Sequence, residues 1–203
     1  MRVFVAGGSG VIGVRLVPLL VAAGHVVAAM TRSPGKAQLL AELGAQPVVC
    51  DVFDREGLTA AVSGFRPEIV FHQLTDLPDE AADIGGYSER NNRIRSEGTT
   101  SLLAAAAAAG TSRVIAQSIS WELPIERGRA VTAAHERAVL AAGGVVIRYG
   151  QLWRPGTYYQ AAPQPPRIHV DDAARQTLPT VEAPAGLTIV IDDRAIPGSD
   201  ASG

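Results

Sequence analysis

A short run of small residues near the N-terminus has the spacing of a loop that binds phosphate groups. Residues 7–13 read GGSGVIG, and they lie between an apolar run at residues 2–6 and a helical pattern. Glycines let the backbone turn tightly and approach a pyrophosphate, and the N-terminus of the next helix offers free N–H groups. Because a dinucleotide-binding loop requires a strand before it and a helix after it, the sequence predicts such a loop here rather than a turn that binds nothing.

The residues after the second apolar run indicate which dinucleotide to expect. NAD-binding folds usually carry an acid about 20 residues after the loop, where it binds the ribose hydroxyls. This chain has Thr31 and Arg32 there instead, and the Arg32 guanidinium can pair with a 2′-phosphate. Lys36 adds a second positive charge. The sequence therefore favours NADP(H) over NAD(H), although both cations can also be read as solvated surface groups.

A third position points to the adenosine half of the same cofactor. Asp51 and Val52 follow the third apolar run, where a carboxylate and a backbone N–H can meet an adenine edge. An Asp in this place can also cap the helix that follows, and the two roles are compatible.

Apolar runs alternate with helical patterns along most of the chain. Strands are predicted at residues 2–6, 26–31, 47–51, 69–73, 113–118, 145–149 and 187–191. Helices are predicted at residues 11–23, 34–43, 55–62, 92–109, 130–142 and 171–178, with loops at 75–86 and 156–167. This alternation is typical of an α/β Rossmann fold, a doubly wound parallel sheet of about seven strands covered on both faces. Ligands bind at the carboxyl ends of such strands.

Length and composition limit the other possibilities. The 203 residues suit one domain, expected over residues 1–193 with substrate-side elements at about 150–185 and a flexible tail at 194–203. A net charge of −2 does not favour nucleic acid as a partner. Cys50 is the single cysteine, and the four histidines lack metal-ligand spacing, so no metal site is expected. The absence of a signal peptide or a bilayer-spanning stretch favours a cytoplasmic location without a membrane partner.

The assembled motifs resemble the NAD-dependent epimerase/dehydratase family, in the extended and atypical branch of the short-chain dehydrogenases/reductases. The matching segments are GGSGVIG at 7–13, TRS at 31–33, FHQLT at 71–75, EGTTSLLAAA at 97–106, QSIS at 117–120, IRYGQLWRPGTYY at 147–159 and IHVDDAAR at 168–175. The resemblance implies that the glycine loop holds the pyrophosphate and that the end of the fourth strand lies near the nicotinamide ribose. The expected cofactor-binding residues are Gly7, Ser9, Gly10, Val11, Ile12, Gly13, Thr31, Arg32, Lys36, Asp51, Val52, Leu74 and Thr75.

The chain departs from this family at the catalytic dyad. Family members use Tyr-x-x-x-Lys on the helix after the fifth strand, where the Lys lowers the pKa of the Tyr. Here that helix reads AVTAAHERAVLAA, and none of the four tyrosines is followed four positions later by a lysine. Lys36, the single lysine of the chain, lies on the second helix, so the standard dyad is excluded.

Other side chains become the catalytic candidates. The family's substrate-polarising Ser/Thr corresponds to Ser118 or Ser120, and the register does not decide between them. His135 can exchange a proton near neutral pH, but His135-Glu136-Arg137 also reads as a polar helix face. Tyr158, beside Tyr159, can be a displaced proton donor or a substrate contact.

Three classes of function fit these residues. The first is an NADP(H)-dependent oxidoreductase that acts on a small carbonyl, alcohol or sugar-like substrate. The second is a non-redox dehydratase, cyclase or isomerase on the same fold, and the third is an inactive dinucleotide-sensing protein. The resemblance also leaves a homodimer open, because family members often pair through the helices after strands four and five.

Overall fold

The computed structural model, which describes residues 1–76, 84–157 and 159–193 (the backbone alone for 84–87), is organised around a seven-stranded parallel sheet. The strands are β1 (Arg2–Ala6), β2 (Val26–Thr31), β3 (Gln46–Val49), β4 (Ile69–His72), β5 (Arg113–Ile119), β6 (Val145–Tyr149), β7 (Gln151–Trp153), β8 (Arg167–His169) and β9 (Thr188–Ile191). The sheet order is β3-β2-β1-β4-β5-β6-β9, and β7 pairs with β8 separately. The doubly wound sheet expected from the sequence is confirmed, and its order reverses between β1 and β4, where such sheets bind ligands.

Helices cover both faces of this sheet. They are α1 (Gly13–Ala22), α2 (Ala37–Glu42) after a 3₁₀ turn at Pro34–Lys36, α3 (Arg55–Phe65), α4 (Ile84–Arg93), α5 (Thr99–Ala108), α6 (Glu126–Ala141) and α7 (Val170–Thr177). A π-helical segment, Ile94–Gly98, joins α4 to α5. Within the described residues, no helix is both apolar enough and long enough to cross a membrane.

Two helix starts and one cap were predicted wrongly. The predicted loop at 75–86 is helical from Ile84 onward. Gly85 and Gly86 have low helix propensity, but they lie within the first turn of a ten-residue helix. The helix predicted from residue 130 begins at Glu126, whose negative charge suits a helix N-terminus. Asp54, rather than Asp51, caps α3 by accepting from the N–H of Gly57 at 3.0 Å. The predicted tail at 194–203 lies outside the described residues.

The core explains why the strands read as continuous apolar runs. On one face, Val3 and Val5 of β1 pack with Leu16 and Leu20 of α1. On the other face, Phe4 packs with residues of α3 and α5. Alternate β1 side chains are thus buried on opposite sides, which positions the loop after β1 rigidly at the carboxyl edge of the sheet.

Candidate cofactor and substrate site

The loop at residues 7–13 is packed so closely that only glycine fits at several positions. Gly7 has φ +91°, and a Cβ there would lie 2.6 Å from the carbonyl oxygen of Gln73. A Cβ on Gly8 would lie 2.7 Å from that of Ala29, and one on Gly13 would overlap the carbonyl oxygen of Gly7. These contacts hold the loop against β2 and against the segment after β4, and they let α1 begin directly against the loop.

The beginning of α1 leaves backbone donors available. The N–H of Gly10 bonds to Gly7, but α1 has no side-chain cap, and the N–H groups of Val11 and Ile12 have no partner among the described residues. Free N–H groups at the start of a helix are the arrangement that binds a pyrophosphate. The residues present therefore fit the phosphates of a dinucleotide.

A hydroxyl pair fixes the loop to the end of β2. Ser9 Oγ donates to Thr31 Oγ1 at 2.8 Å, and the N–H of Ser33 donates to the same Thr31 oxygen at 3.2 Å. Lys36 is exposed on the 3₁₀ turn that follows. Asp51 is exposed as well, and its carboxylate accepts from the N–H of Phe53 rather than from the next helix.

Arg32 forms an ion pair across the cleft. Its guanidinium lies 3.2 Å from Oδ1 of Asp76, so the pair connects the segments after β2 and β4, the two strands that flank β1. Arg90 contacts the other oxygen of Asp76 at 3.0 Å. The Asp76 carboxylate is nearly buried, whereas more than half of the Arg32 side chain is exposed. The three groups carry a net charge of +1.

A cavity of about 520 Å³ opens beside the phosphate loop at the carboxyl ends of β1, β4, β5 and β6. Val11 and Ile12 line one side, and Thr75 lies at the end of the β4 segment. Its wall is mainly apolar, formed by residues that include Trp121, Leu123, Pro124, Ile125 and Leu152. The polar groups on the wall include Gln73, Asn91, Arg95, Gln117 and Ser118. Its location and lining suit a small molecule that lies next to a bound cofactor.

The two candidate serines lie in different places. Ser118 lines the cavity, and its Oγ donates to Glu136 at 2.6 Å. Glu136 also accepts two hydrogen bonds from Arg148. Burial alone would raise the pKa of Glu136, but the bonds from Arg148 and Ser118 outweigh it and hold that pKa below its usual value. Ser120 instead lines a separate depression of about 300 Å³.

His135 is locked inside a chain of hydrogen bonds. Its Nε2 faces the carbonyl oxygen of Gln117 at 3.0 Å, so Nε2 carries the proton, and Nδ1 accepts from Thr99 Oγ1 at 2.8 Å. Thr99 therefore accepts from His72 Nε2 at 3.1 Å, which leaves His72 Nδ1 to accept from the N–H of Leu74. Burial lowers the pKa of both histidines, that of His72 to about 3.

The interpretation of residues 135–137 as a polar helix face is wrong for two of its three members. His135 and Glu136 are buried, and Arg137 alone is exposed. Buried partners on β5 and α5 use the polar atoms of His135, a possibility that helical spacing alone does not reveal.

Two of the described tyrosines, Tyr149 and Tyr159, line the cavity. Thr177 Oγ1 donates to the carbonyl of Ala173, so the phenol of Tyr149 donates to Thr177 at 2.6 Å, and burial raises the pKa of Tyr149 to about 12. Tyr158 lies outside the described residues.

Two elements of the site were missed by the sequence reasoning. One is Asp76, which pairs with Arg32. The sequence signal for it was an acidic residue shortly after the fourth predicted strand. The other is Arg95, which is buried although charged. Arg95 precedes the buried residues Gly98, Thr99 and Leu102 by three, four and seven positions, which places it on the same helix face. This helical periodicity is the sequence signal that indicates a buried arginine here.

The comparisons with known proteins agree with this geometry. A family model described as NAD(P)H-binding matches residues 7–139. A 3-diazoavenalumate denitrifying reductase from a Streptomyces species is 36% identical over 242 aligned positions, which cover 98% of this chain and 78% of the relative. A 4-hydroxy-2-methyl-3-oxo-4-farnesyl-3,4-dihydroquinoline-1-oxide ketoreductase from Stigmatella aurantiaca is 30% identical, and the match covers 98% of this chain and 52% of the relative.

A solved structure shares the fold. UDP-glucose 4-epimerase from Thermus thermophilus, determined in complex with NAD, superposes with a TM-score of 0.75 at 20% identity, over 95% of this chain and 78% of that one. At this level of identity the likeness concerns the fold. The family match and the reductase relative together confirm the resemblance drawn from the motifs. The chain therefore belongs to the NAD(P)H-binding family, and it has the fold of the NAD-dependent epimerases and dehydratases.

Proposed function

We propose that the chain is an NADP(H)-dependent reductase or dehydrogenase of a small, largely apolar carbonyl or alcohol compound. The observation that carries the proposal is the apolar cavity of about 520 Å³ that lies directly beside the free N–H groups of Val11 and Ile12. When bound, the nicotinamide supplies or accepts a hydride. A chain that only sensed the dinucleotide would have no need for a second, apolar compartment next to it.

The choice of NADP(H) is supported by the charges around the adenosine end. The cluster of Arg32, Asp76 and Arg90 has a net charge of +1, and Arg90 keeps Asp76 paired if Arg32 turns toward a 2′-phosphate. Lys36 is exposed after the same strand. An arginine fork suits a phosphate because it can donate two parallel hydrogen bonds.

Within the cavity we assign the contact with the reacting oxygen to Ser118 rather than Ser120. Ser118 lies on the wall of the large cavity, and its hydroxyl is oriented by Glu136. Because the bonds from Arg148 and Ser118 keep the pKa of Glu136 low, Glu136 is ionised near neutral pH and accepts the hydrogen bond from the Ser118 hydroxyl. The Ser118 lone pairs can then accept from the hydroxyl of an alcohol substrate, whereas donation to a carbonyl oxygen requires the Ser118 hydroxyl to rotate away from Glu136.

Proton exchange requires a different group, for which Tyr159 is our candidate. Both ring nitrogens of His135 are occupied, and His135 does not line the cavity. The Tyr149 proton is held by Thr177. Tyr159 is on the cavity wall, in the segment that resembles the family's substrate loop. Tyr158, the tyrosine that the sequence favoured, stays a second candidate.

The substrate class is supported by the cavity lining and by the relatives. A wall whose exposed surface is mainly apolar suits a carbonyl compound better than a nucleotide sugar, which carries many hydroxyls and phosphates. Two relatives that match almost the whole chain are named as reductases, one of a diazo compound and one of a ketone.

The test has two stages. NADPH and NADH are first titrated into the purified chain by fluorescence, and the absorbance of NADPH is then followed with a panel of aromatic and aliphatic ketones and aldehydes. We expect tighter binding of NADPH and turnover with at least one class of carbonyl compound. Tight binding without any oxidation would favour the sensor or a non-redox reaction, and no binding of either cofactor at millimolar concentration would refute the proposal.

A further inference from the structure

Arg95 is a nearly buried cation in the wall of the cavity. Only 8% of its surface is exposed, and it lies in the π-helical segment Ile94–Gly98. Its Nη1 donates to Thr132 Oγ1 at 3.0 Å. Among the described residues, this guanidinium makes no other hydrogen bond and no ion pair. Any Arg95 nitrogen that lacks a hydrogen-bond partner keeps some accessible surface. A guanidinium has five N–H donors, so most of them have no protein acceptor among the described residues, and Arg95 lines the cavity.

The charges around Arg95 do not neutralise it. Glu136, the carboxylate that attracts it, is already bonded to Arg148 and Ser118. Glu89, on the cavity wall, is paired with Arg127 at 2.8 Å. Among the described wall residues, the charges of two arginines and one glutamate thus sum to +1. A nearly buried guanidinium without a paired anion is costly, and an anionic ligand in the cavity would reduce this cost.

We propose that the substrate carries a carboxylate that Arg95 binds, joined to a small apolar or aromatic body that packs against Trp121, Ile125 and Leu152. This inference rests on the proposed function, because it names the substrate class for the same cavity. The planar fork of a guanidinium matches the two oxygens of a carboxylate. A carboxylate also has one negative charge, equal to the one uncompensated positive charge, whereas a doubly charged phosphate would leave an excess charge against an apolar wall.

The experiment compares an acid with its neutral isostere. Binding of trans-cinnamate and trans-cinnamamide to the full chain is measured by calorimetry, with and without NADPH. For the unchanged protein we expect the acid to bind at least about tenfold more tightly than the amide. In Arg95→Gln, the acid should lose at least about tenfold in affinity and the amide less than about twofold, with NADPH affinity changed by less than about twofold.

Two further variants separate charge from structure. Arg127→Gln is the matched control, since it makes the same change at an exposed arginine of the same wall that is already paired with Glu89. It should change the preference for the acid by less than about threefold. Thr132→Val removes the hydrogen bond that Arg95 makes within the described residues but keeps the guanidinium charge, so the preference for the acid should persist.

The outcomes are distinct from those of the proposed function. No preference of the unchanged protein for the acid overturns the inference even if Arg95→Gln fails to fold. Equal losses for acid and amide would assign Arg95 a structural role, and a loss confined to NADPH would assign it to the cofactor; either result overturns the inference. Cofactor titration reports the proposed function separately, because cinnamate binding is also measured without NADPH.

Discussion

The hydroxyl of Ser118 donates to the carboxylate of Glu136 at 2.6 Å, and the Arg148 guanidinium donates to both oxygens of that carboxylate. Strand β5, helix α6 and strand β6 each contribute one member of this group. The arrangement orients Ser118 at the cavity wall, where we propose that the substrate oxygen binds. It also connects the helix that lacks the usual dyad to the position where a substrate oxygen is expected.

Ser118→Ala should lower kcat for carbonyl reduction on the order of 10²-fold, because the side chain that positions the substrate oxygen is lost. NADPH affinity should be nearly unchanged. Ser120→Ala is the matched control, since Ser120 lines the separate depression of about 300 Å³. Steady-state kinetics on the best carbonyl substrate would measure both variants. A larger loss in Ser120→Ala than in Ser118→Ala would reverse the assignment.

Arg32→Ala should weaken NADPH by about tenfold or more and NADH far less, because the 2′-phosphate loses a charge-assisted hydrogen bond. Fluorescence titration of each cofactor measures the effect. Arg137→Ala removes an arginine on the exposed side of α6 and should leave both affinities unchanged. Equal weakening of the two cofactors by Arg32→Ala would contradict the preference for NADP(H).

Gly13→Ala should abolish tight cofactor binding, because the new Cβ overlaps the carbonyl oxygen of Gly7 and forces the phosphate loop to shift. Gly64→Ala, within α3, is the control because a Cβ there meets nothing within 4 Å. It should stabilise the fold by up to about 1 kcal/mol through helix propensity. Urea unfolding and cofactor titration test the pair. Unchanged NADPH affinity in Gly13→Ala would show that this loop does not bind the phosphates.

Thr99→Val should destabilise the fold by about 2–4 kcal/mol, because it leaves nitrogens of the buried His72 and His135 without partners. Thr100→Val on the same helix is exposed and should change the free energy of unfolding by less than about 0.5 kcal/mol. Chemical denaturation compares the two. Similar costs would mean that the histidine chain contributes little.

Acid should destabilise the protein well above the range in which carboxylates titrate. Burial, with repulsion from His135 and Arg95, lowers the pKa of His72 from 6.5 to about 3. Below pH 6.5, His72 is protonated in the unfolded chain but stays neutral in the folded chain. The free energy of unfolding therefore decreases as the pH falls from 6.5 toward 3. At pH 5 the loss from this residue is about 2 kcal/mol relative to pH 7.5. Urea unfolding at both pH values, with His72→Gln as the comparison, measures it; a flat profile in the unchanged protein would refute the shift.

Local pattern was sufficient for most of the fold. All seven predicted strands lie in the sheet, since runs such as residues 26–31 are buried on both faces and hence continuously apolar. The N-terminus of α4 was missed because Gly85 and Gly86 disfavour a helix locally. Strands β7 and β8 were also missed, because each has three residues and each residue pairs with one that lies 16 positions away.

By itself, the sequence determined the position of the glycine loop, because the run GGSGVIG at residues 7–13 follows an apolar strand and precedes a helix. It also excluded the Tyr-x-x-x-Lys dyad, because Lys36 is the single lysine of the chain. Only the tertiary structure decided which serine lines the cavity, that His135 is neutral and enclosed, and that Arg95 is a buried cation open to the site. Each of these depends on side chains brought together from distant segments, so no local spacing carries them.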